Sequence, residues 1–187
     1  MSVYSEKINN VLSQISFLKT ITELSGKRGE KVFIVGGFVR DIILNRVRDE
    51  IDFLVLGNGV DFAENLAAEL KVENVSVFKN FGTAHFRYES FDLEFVGARK
   101  ESYSESSRNP IVTDGTFEDD INRRDFTINS IAVSLSVENF GEVIDIFNGL
   151  QDIENKIIKT PLDPEVTFND DPLRIMRAFR FASQLNF

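Results

Sequence analysis

The stretch from residue 31 to residue 56 constrains the fold more than any other part of the chain. An apolar run, Lys31–Val35, ends at the pair Gly36-Gly37, and a helical pattern follows. A second apolar run then starts with Glu50 and Asp52. The order predicts strand, tight turn, helix and strand. Residues two apart on a strand point to the same side, so we expect both acids on one face.

The glycine pair and the acid pair each indicate a type of ligand. Glycine lets the backbone approach an anion closely, and the helix behind it presents N–H groups. Glu50 and Asp52 repel each other unless a proton or a cation joins them. A divalent ion facing a triphosphate satisfies both features. The alternative is a solvent-facing pair of acids on an edge strand, which the neighbouring glycines disfavour.

A third carboxylate is expected from the predicted strand Ser90–Val96. Asp92 and Glu94 lie two apart on it, and we favour Glu94, although the strand register decides between them. Hard oxygen ligands beside phosphates suit Mg²⁺. In a two-metal site, one ion activates an attacking hydroxyl and the other stabilises the leaving oxygen.

Two later segments combine arginine with carboxylates. The segment 123–129 reads RRDFTIN, and a guanidinium beside a carboxylate fits a phosphate and a ribose hydroxyl. The segment 170–174 reads DDPLR, in which Asp171 and Arg174 are predicted to be neighbours on one helix face. One offers only acceptors and the other only donors, which matches the amino group and ring nitrogen of cytosine or adenine. The simpler alternatives are a surface ion pair and a helix-start salt bridge.

These four segments, in this order, resemble the class II tRNA nucleotidyltransferases (CCA-adding enzymes) and the bacterial poly(A) polymerases from about Val35 to Phe181. The resemblance implies an α/β (α+β) fold: a polymerase-β-like head with a small mixed sheet and helices on one side. We expect this head over residues 1–160 and the start of an all-helical neck over 161–187.

The implied function is template-independent transfer of CMP or AMP from CTP or ATP to an RNA 3′ end, with CCA addition to tRNA as the first expectation. Addition of A alone, of CC alone, or of a poly(A) tail stays open. So does a nucleotide-binding regulatory module of the same fold whose catalysis has lapsed.

The resemblance also assigns residues. The catalytic and metal-binding candidates are Glu50 and Asp52, with Glu94 as the third catalytic carboxylate. The nucleotide-binding candidates are Gly36, Gly37, Arg40, Arg124, Asp125, Asn129, Asp171, Arg174 and Arg177. Within that set, the family pattern implies that Arg124 faces the triphosphate and Asp125 reads the ribose 2′-OH. Glu50 stands where the family has aspartate: either it replaces that residue, or the strand bulges and Asp49 helps.

Charge and composition limit the partners. Lys and Arg total 21 against 30 Asp and Glu, giving a net charge of −9, which argues against a broad grip on a nucleic-acid backbone. We therefore expect CTP, ATP and an RNA 3′ end as partners, with tRNA held mostly by domains of a longer protein. The chain has no cysteine and one histidine, His85, which excludes thiolate and multi-histidine metal sites. No run is apolar enough for a membrane, so we expect no membrane partner and a cytoplasmic location.

Three local predictions complete the reading. Residues 5–26 are expected to form two helices broken near residues 13 and 14. The long polar segment 97–122 is expected to be a loop, either beside the active site as in the family or a plain surface insertion. On the last helix, we expect Met176, Phe179 and Phe181 to pack.

Overall fold

The computed structural model describes residues 3–46, 48–78, 82–104 and 107–187, with the backbone alone for 100–104, 107–112 and 114. The chain forms two compact units. The first consists of Met1–Ala98 and Ala132–Ile144, and the second of Arg99–Ile131 and Asp145–Phe187. The predicted division into a head over 1–160 and a neck from 161 stays a prediction.

A seven-stranded mixed sheet organises the first unit. The helices of this unit are α1 (Val3–Leu12), α2 (Leu18–Arg28), α3 (Gly37–Ile43) and α4 (Gly59–Glu69). The strands of the sheet are β1 (Lys31–Val35), β2 (Glu50–Leu56), β3 (Ser76–Phe78), β4 (Thr83–Tyr88), β5 (Phe91–Gly97), β8 (Ala132–Ser134) and β9 (Val143–Ile144), and their order across it is β3-β4-β5-β2-β1-β8-β9. The break between α1 and α2 confirms the predicted pair of N-terminal helices.

Phenylalanines on one face of this sheet form its core. Phe53 of β2 and Phe95 of β5 stack with ring centroids 4.6 Å apart, and Phe86 of β4 lies 5.6 Å from Phe95. Phe62 of α4 reaches the same ring at 5.9 Å. Alternation along β2 and β5 therefore leaves Asp52 and Glu94 on the opposite face.

The second unit holds a hairpin and short helices. Its elements are β6 (Arg99–Ser104), β7 (Ser107–Asp114), α5 (Phe117–Asn122), a 3₁₀ turn (Thr127–Asn129), α6 (Gly149–Asn155), α7 (Pro164–Asp170) and α8 (Leu173–Leu185). Strands β6 and β7 pair antiparallel from Arg99 opposite Asp114 to Ser104 opposite Ser107. The expectation of a structureless loop over 97–122 is therefore wrong for the described residues.

Candidate metal and nucleotide site

The predicted metal ligands lie on one face of the first unit's sheet. Strands β2 and β5 run parallel, with Glu50 opposite Asp92 and Asp52 opposite Glu94. Directly paired residues on neighbouring strands project to the same side, so the carboxylates of Asp52 and Glu94 face the same way. The register supports Glu94 as the partner of Asp52. It also continues without interruption from Glu50 to Val55, which favours replacement by Glu50 over a bulge that recruits Asp49.

Arg48 holds the carboxylate of Glu50. Its Nη2 donates a short hydrogen bond to Glu50 Oε2, and its Nη1 donates to Asp41 Oδ2 at 3.2 Å. Burial lowers the pKa of Arg48, but the hydrogen bonds and charges of Asp41 and Glu50 outweigh it, so the pKa rises above its ordinary value. We did not predict this link from the sequence. The signal for it is the two-residue spacing of Arg48 and Glu50.

The glycine turn adopts the conformation that its sequence requires. Gly36 has φ +77° and ψ −138°, a backbone conformation that residues other than glycine rarely adopt. Helix α3 begins at the next residue, Gly37. A Cβ on Gly37 would lie 2.9 Å from Arg48 Nη1. Arg40 of α3 is buried, and its Nε and Nη2 donate to the two Asp41 oxygens at 2.9 and 3.0 Å. Arg40 is therefore part of an internal ion pair, and its nucleotide-binding role stays a prediction.

The donor set of the acidic face is compatible with a hard divalent ion. Glu50, Asp52 and Glu94 offer only carboxylate oxygens, which Mg²⁺ and similar ions prefer. In the described part of the chain, no three or more acidic or histidine side chains are already gathered as a metal-binding group. For Glu50 to bind a metal ion, its carboxylate must either give up the hydrogen bond from Arg48 or bind Arg48 and the ion at the same time.

In the second unit, Asp125 is surrounded by donors. Its Oδ1 accepts the Phe126 N–H at 2.8 Å and the Asn129 side-chain amide at 3.0 Å. Its Oδ2 accepts Nε of Arg177 at 2.8 Å and Nη2 at 2.6 Å. A carboxylate has about four acceptor positions, so all are used. A ribose hydroxyl that bonds to Asp125 must take the place of one of these donors.

The two arginines before Asp125 share one buried carboxylate. Asp120 of α5 is fully buried and accepts from Nε and Nη2 of both Arg123 and Arg124. Nη1 of Arg124 also donates to the Asn129 carbonyl at 3.4 Å. We did not predict a role for Asp120, although its spacing of three and four residues from the arginines is typical of helical ion pairs.

The side chains of Asp171 and Arg174 form no ion pair with each other in the described structure, although the Arg174 N–H donates to the Asp171 carbonyl at 3.0 Å. Asp171 follows the last residue of α7, and its Oδ1 accepts the Leu173 N–H at 3.1 Å. Arg174 in α8 donates from Nη2 to the Arg123 carbonyl at 2.8 Å. The prediction of one shared helix face is wrong, because Pro172 pushes the preceding residue out of the helical region and a new helix starts after it.

The structure thus brings the predicted residues into two groups. In the second unit, Arg174 and Arg177 of α8 bond directly to the segment 123–129, so both predicted arginine segments meet. In the first unit, Glu50, Asp52 and Glu94 share a sheet face. Among the apolar residues of α8, Phe181 is buried as expected. Met176 and Phe179 are exposed, at 65% and 69%, so their predicted packing is wrong.

Comparison with known proteins identifies the family. Residues 32–159 match the model of the poly(A) polymerase head domain. The chain belongs to the poly(A) polymerase head-domain family. An A-adding tRNA nucleotidyltransferase of Aquifex aeolicus is 45% identical over 157 residues, covering 84% of this chain and 19% of that protein.

Solved structures of the family have the same fold. A CCA-adding enzyme in its apo form II superposes with a TM-score of 0.84 at 31% identity, covering 94% of this chain and 41% of that one. A tRNA nucleotidyltransferase complexed with a primer tRNA and an incoming ATP analogue gives 0.77 at 40% identity, covering 89% and 45%. The chain therefore spans less than half the length of these relatives, and it has the polymerase-β-like fold predicted from its sequence.

Two further findings concern the metal ion and the membrane. Nucleotidyltransferases of this family generally use a divalent metal ion. Within the described ranges, no helix is both long and apolar enough to span a bilayer.

Proposed function

We propose that this chain is the nucleotidyltransferase head of an enzyme that transfers CMP or AMP from CTP or ATP to an RNA 3′ end. The RNA that we favour is tRNA, and the product is its CCA end or part of it. The observation that carries the proposal is the joining of Arg174 and Arg177 to the segment that holds Arg124, Asp125 and Asn129. The names of the relatives, one bound to a primer tRNA and an ATP analogue, support the substrates.

The residues of each unit take distinct roles in this proposal. Glu50, Asp52 and Glu94 hold a divalent ion, for which we propose Mg²⁺ because the donors are all carboxylates. When bound, that ion supplies positive charge to the triphosphate and acidifies a hydroxyl nucleophile. Gly36, Gly37 and Arg40 belong to the phosphate-binding turn, in keeping with the positive φ of Gly36.

The second unit supplies nucleotide recognition. Arg124 and Arg177 present guanidinium groups to phosphates, and Asn129 keeps the Asp125 carboxylate in place. We propose that Asp125 accepts the ribose 2′-OH by exchanging it for one of its present donors. Asp171 and Arg174 bind the base edge in this proposal. The side chain of each makes one hydrogen bond here, and its other polar atoms can bond to the base.

A second candidate is a nucleotide-binding module without catalysis, favoured by the ion pair that engages Glu50 with Arg48. Both candidates bind nucleotide, and only the first transfers it. A poly(A) polymerase differs from both in adding A repeatedly. The names of the relatives support CCA or A addition, and we propose the cytoplasm as its place of action.

Nucleotide binding followed by transfer tests the proposal. We expect calorimetry to show CTP and ATP binding in the presence of Mg²⁺, with UTP and GTP much weaker. Labelled tRNA that lacks its terminal A, or its whole CCA end, should then be extended by the full-length enzyme of which we propose this chain to be the head. Binding without extension selects the lapsed module, and absence of binding by all four nucleotides overturns both candidates.

A further inference from the structure

Asp120 is a buried charge that the roles above do not use. Its side chain has no exposed surface, although an isolated carboxylate is costly to remove from water. Its neighbours Glu118 and Asp119 on α5 are not buried. A carboxylate in such a position needs charged partners, and Arg123 and Arg124 provide them.

The geometry of the bonds fixes both guanidinium groups. Arg123 donates from Nε and Nη2 to Oδ1, while Arg124 donates from Nε at 3.2 Å and Nη2 at 2.9 Å to Oδ2. Each arginine thus uses the same edge of its planar group, and the four acceptor positions of Asp120 are filled. The side chains of Arg123 and Arg124 are only 19% and 15% exposed, so these pairs are poorly screened by water.

Arg124 is held at a second point as well. Its Nη1 donates to the carbonyl of Asn129 at 3.4 Å, and the side chain of Asn129 is bonded to Asp125 at 3.0 Å. The plane of the Arg124 guanidinium is therefore set from both ends. One N–H on each terminal nitrogen lies beyond these bonds, and terminal guanidinium N–H groups are the donors by which arginine binds phosphate oxygens.

We propose that Asp120 is a positioning residue that aims Arg124 at the triphosphate of the incoming nucleotide. The proposal rests on the proposed function, because it needs a triphosphate as the ligand of Arg124. Asp120 itself touches no substrate: its effect passes through the arginine. The proposal predicts that substitution of Asp120 weakens the binding of triphosphates specifically, because the Arg124 guanidinium does not contact the base or the ribose in this proposal.

The test compares Asp120→Asn with two neighbours on α5. The asparagine keeps the size of the side chain but leaves one arginine edge without its anion. Glu118→Gln removes the same charge from an exposed position. Asp119→Asn weakens the capping box with Thr116, where Asp119 Oδ2 accepts the Thr116 N–H at 2.9 Å, and so controls for lost helix stability.

We expect Asp120→Asn to raise the Kd for CTP and ATP with Mg²⁺ by about ten-fold, the size expected for a lost buried charged hydrogen bond. Binding of CMP and AMP should change much less. Glu118→Gln and Asp119→Asn should leave the ratio of triphosphate to monophosphate affinity unchanged. In a protein that already carries Arg124→Gln, adding Asp120→Asn should weaken triphosphate binding no further.

Four results of these measurements would overturn the inference. Equal weakening of triphosphates and monophosphates, or a change in thermal stability alone, would make Asp120 a purely structural residue. Unchanged triphosphate binding would show that Arg124 is aimed without it. If the unsubstituted protein binds neither CTP nor ATP, the proposed function fails first, and this inference fails with it.

A measurement without ligand covers the case in which Asp120→Asn does not fold. In the unsubstituted protein, the Nε–H of Arg124 should exchange with solvent far more slowly than that of Arg180, an exposed arginine on α8. Exchange at equal rates, read by ¹⁵N NMR of the arginine side chains, would contradict the positioning role.

Discussion

At the scale of single residues, Asp52 and Glu50 differ in what surrounds them. Glu50 is exposed and paired with Arg48, whereas Asp52 is half-buried opposite Glu94. A second carboxylate beside Asp52 favours a cation there, because two like charges close together repel each other. Glu50 also lies opposite a carboxylate, that of Asp92, but its charge is shared with Arg48, so we propose Asp52 as the first metal ligand to test.

We predict that Asp52→Asn abolishes nucleotide transfer and divalent-metal binding while the protein stays folded. The amide keeps the shape of the side chain but removes the anionic ligand. Mn²⁺ titration followed by electron paramagnetic resonance measures the binding, and circular dichroism checks the fold. Glu50→Gln should act in the same direction.

Asp49→Asn is the matched control. Asp49 lies outside β2, and its contact with the neighbouring strand is made by its backbone carbonyl, which accepts the Asp92 N–H at 2.8 Å. The substitution should leave metal binding unchanged. An Asp52→Asn protein that folds and transfers at the normal rate would show that the metal lies elsewhere.

Base choice is predicted to depend on Arg174. Arg174→Ala removes the donors proposed for N3 of cytosine and N1 of adenine, costing about 1–3 kcal/mol for each of these nucleotides. Discrimination of CTP and ATP against UTP and GTP should therefore fall more than triphosphate binding does. The measurement is the affinity of all four nucleotides side by side.

The same experiment on Arg180→Ala separates base reading from general charge. Arg180 lies on the same helix, where its guanidinium is 4.8 Å from the ring of Phe181. Its loss should leave the ratio between the nucleotides unchanged. If Arg174→Ala also keeps the original ratio, the base is read by other residues.

At the scale of elements, an aromatic contact adds to the bonds that Arg174 and Arg177 make between α8 and the rest of its unit. The ring of Phe181 meets that of Phe126 edge-on at 5.9 Å and lies 5.4 Å from the Arg177 guanidinium. Phe179, two residues earlier, is 69% exposed. The same residue type therefore has two environments on one helix.

We predict that Phe181→Ala lowers the free energy of unfolding by about 3 kcal/mol, as expected for a buried phenylalanine. Phe179→Ala should change it by less than about 0.5 kcal/mol, because an exposed ring loses few contacts. Urea unfolding of both variants measures the difference. Equal effects would mean that the two rings are equally buried in solution.

The elements with a clear period were predictable from the sequence, and those without one were not. Strand β2 and helix α4 follow alternating or helical apolar patterns, and both were found. The hairpin β6–β7 was read as a loop because its residues are mostly polar and Pro110, in β7, disfavours a strand. A hairpin of polar residues is held by backbone hydrogen bonds and lacks the alternating apolar pattern from which strands are predicted.

The candidate residues of the second unit could be proposed from the sequence, but the hydrogen bonds that join them could not. The sequence indicated Arg124, Asp125 and Arg174 as nucleotide ligands, and the structure brings them together. It did not reveal Asp120, because burial of a carboxylate depends on residues that enclose it from elsewhere in the chain. Asp171 was assigned to the wrong element for a local reason, the proline that follows it.

At the scale of the whole molecule, net charge limits the affinity of the chain for RNA. Its net charge of −9 opposes the phosphate backbone, and affinity for nucleic acid normally comes from clustered Lys and Arg that release counterions. In the second unit, Arg123, Arg124 and Arg177 are paired with the carboxylates of Asp120 and Asp125. A small triphosphate needs only a few such groups, whereas a tRNA needs many.

We therefore predict that these 187 residues bind CTP and ATP but hold tRNA weakly. Fluorescence anisotropy with labelled tRNA at about 150 mM salt should give a Kd well above that for CTP under the same conditions. Lowering the salt should tighten tRNA binding only modestly, since few phosphate contacts mean a shallow dependence on salt. Tight tRNA binding at this salt concentration, with a steep salt dependence, would contradict the charge argument. It would place a basic RNA-binding surface within the chain itself.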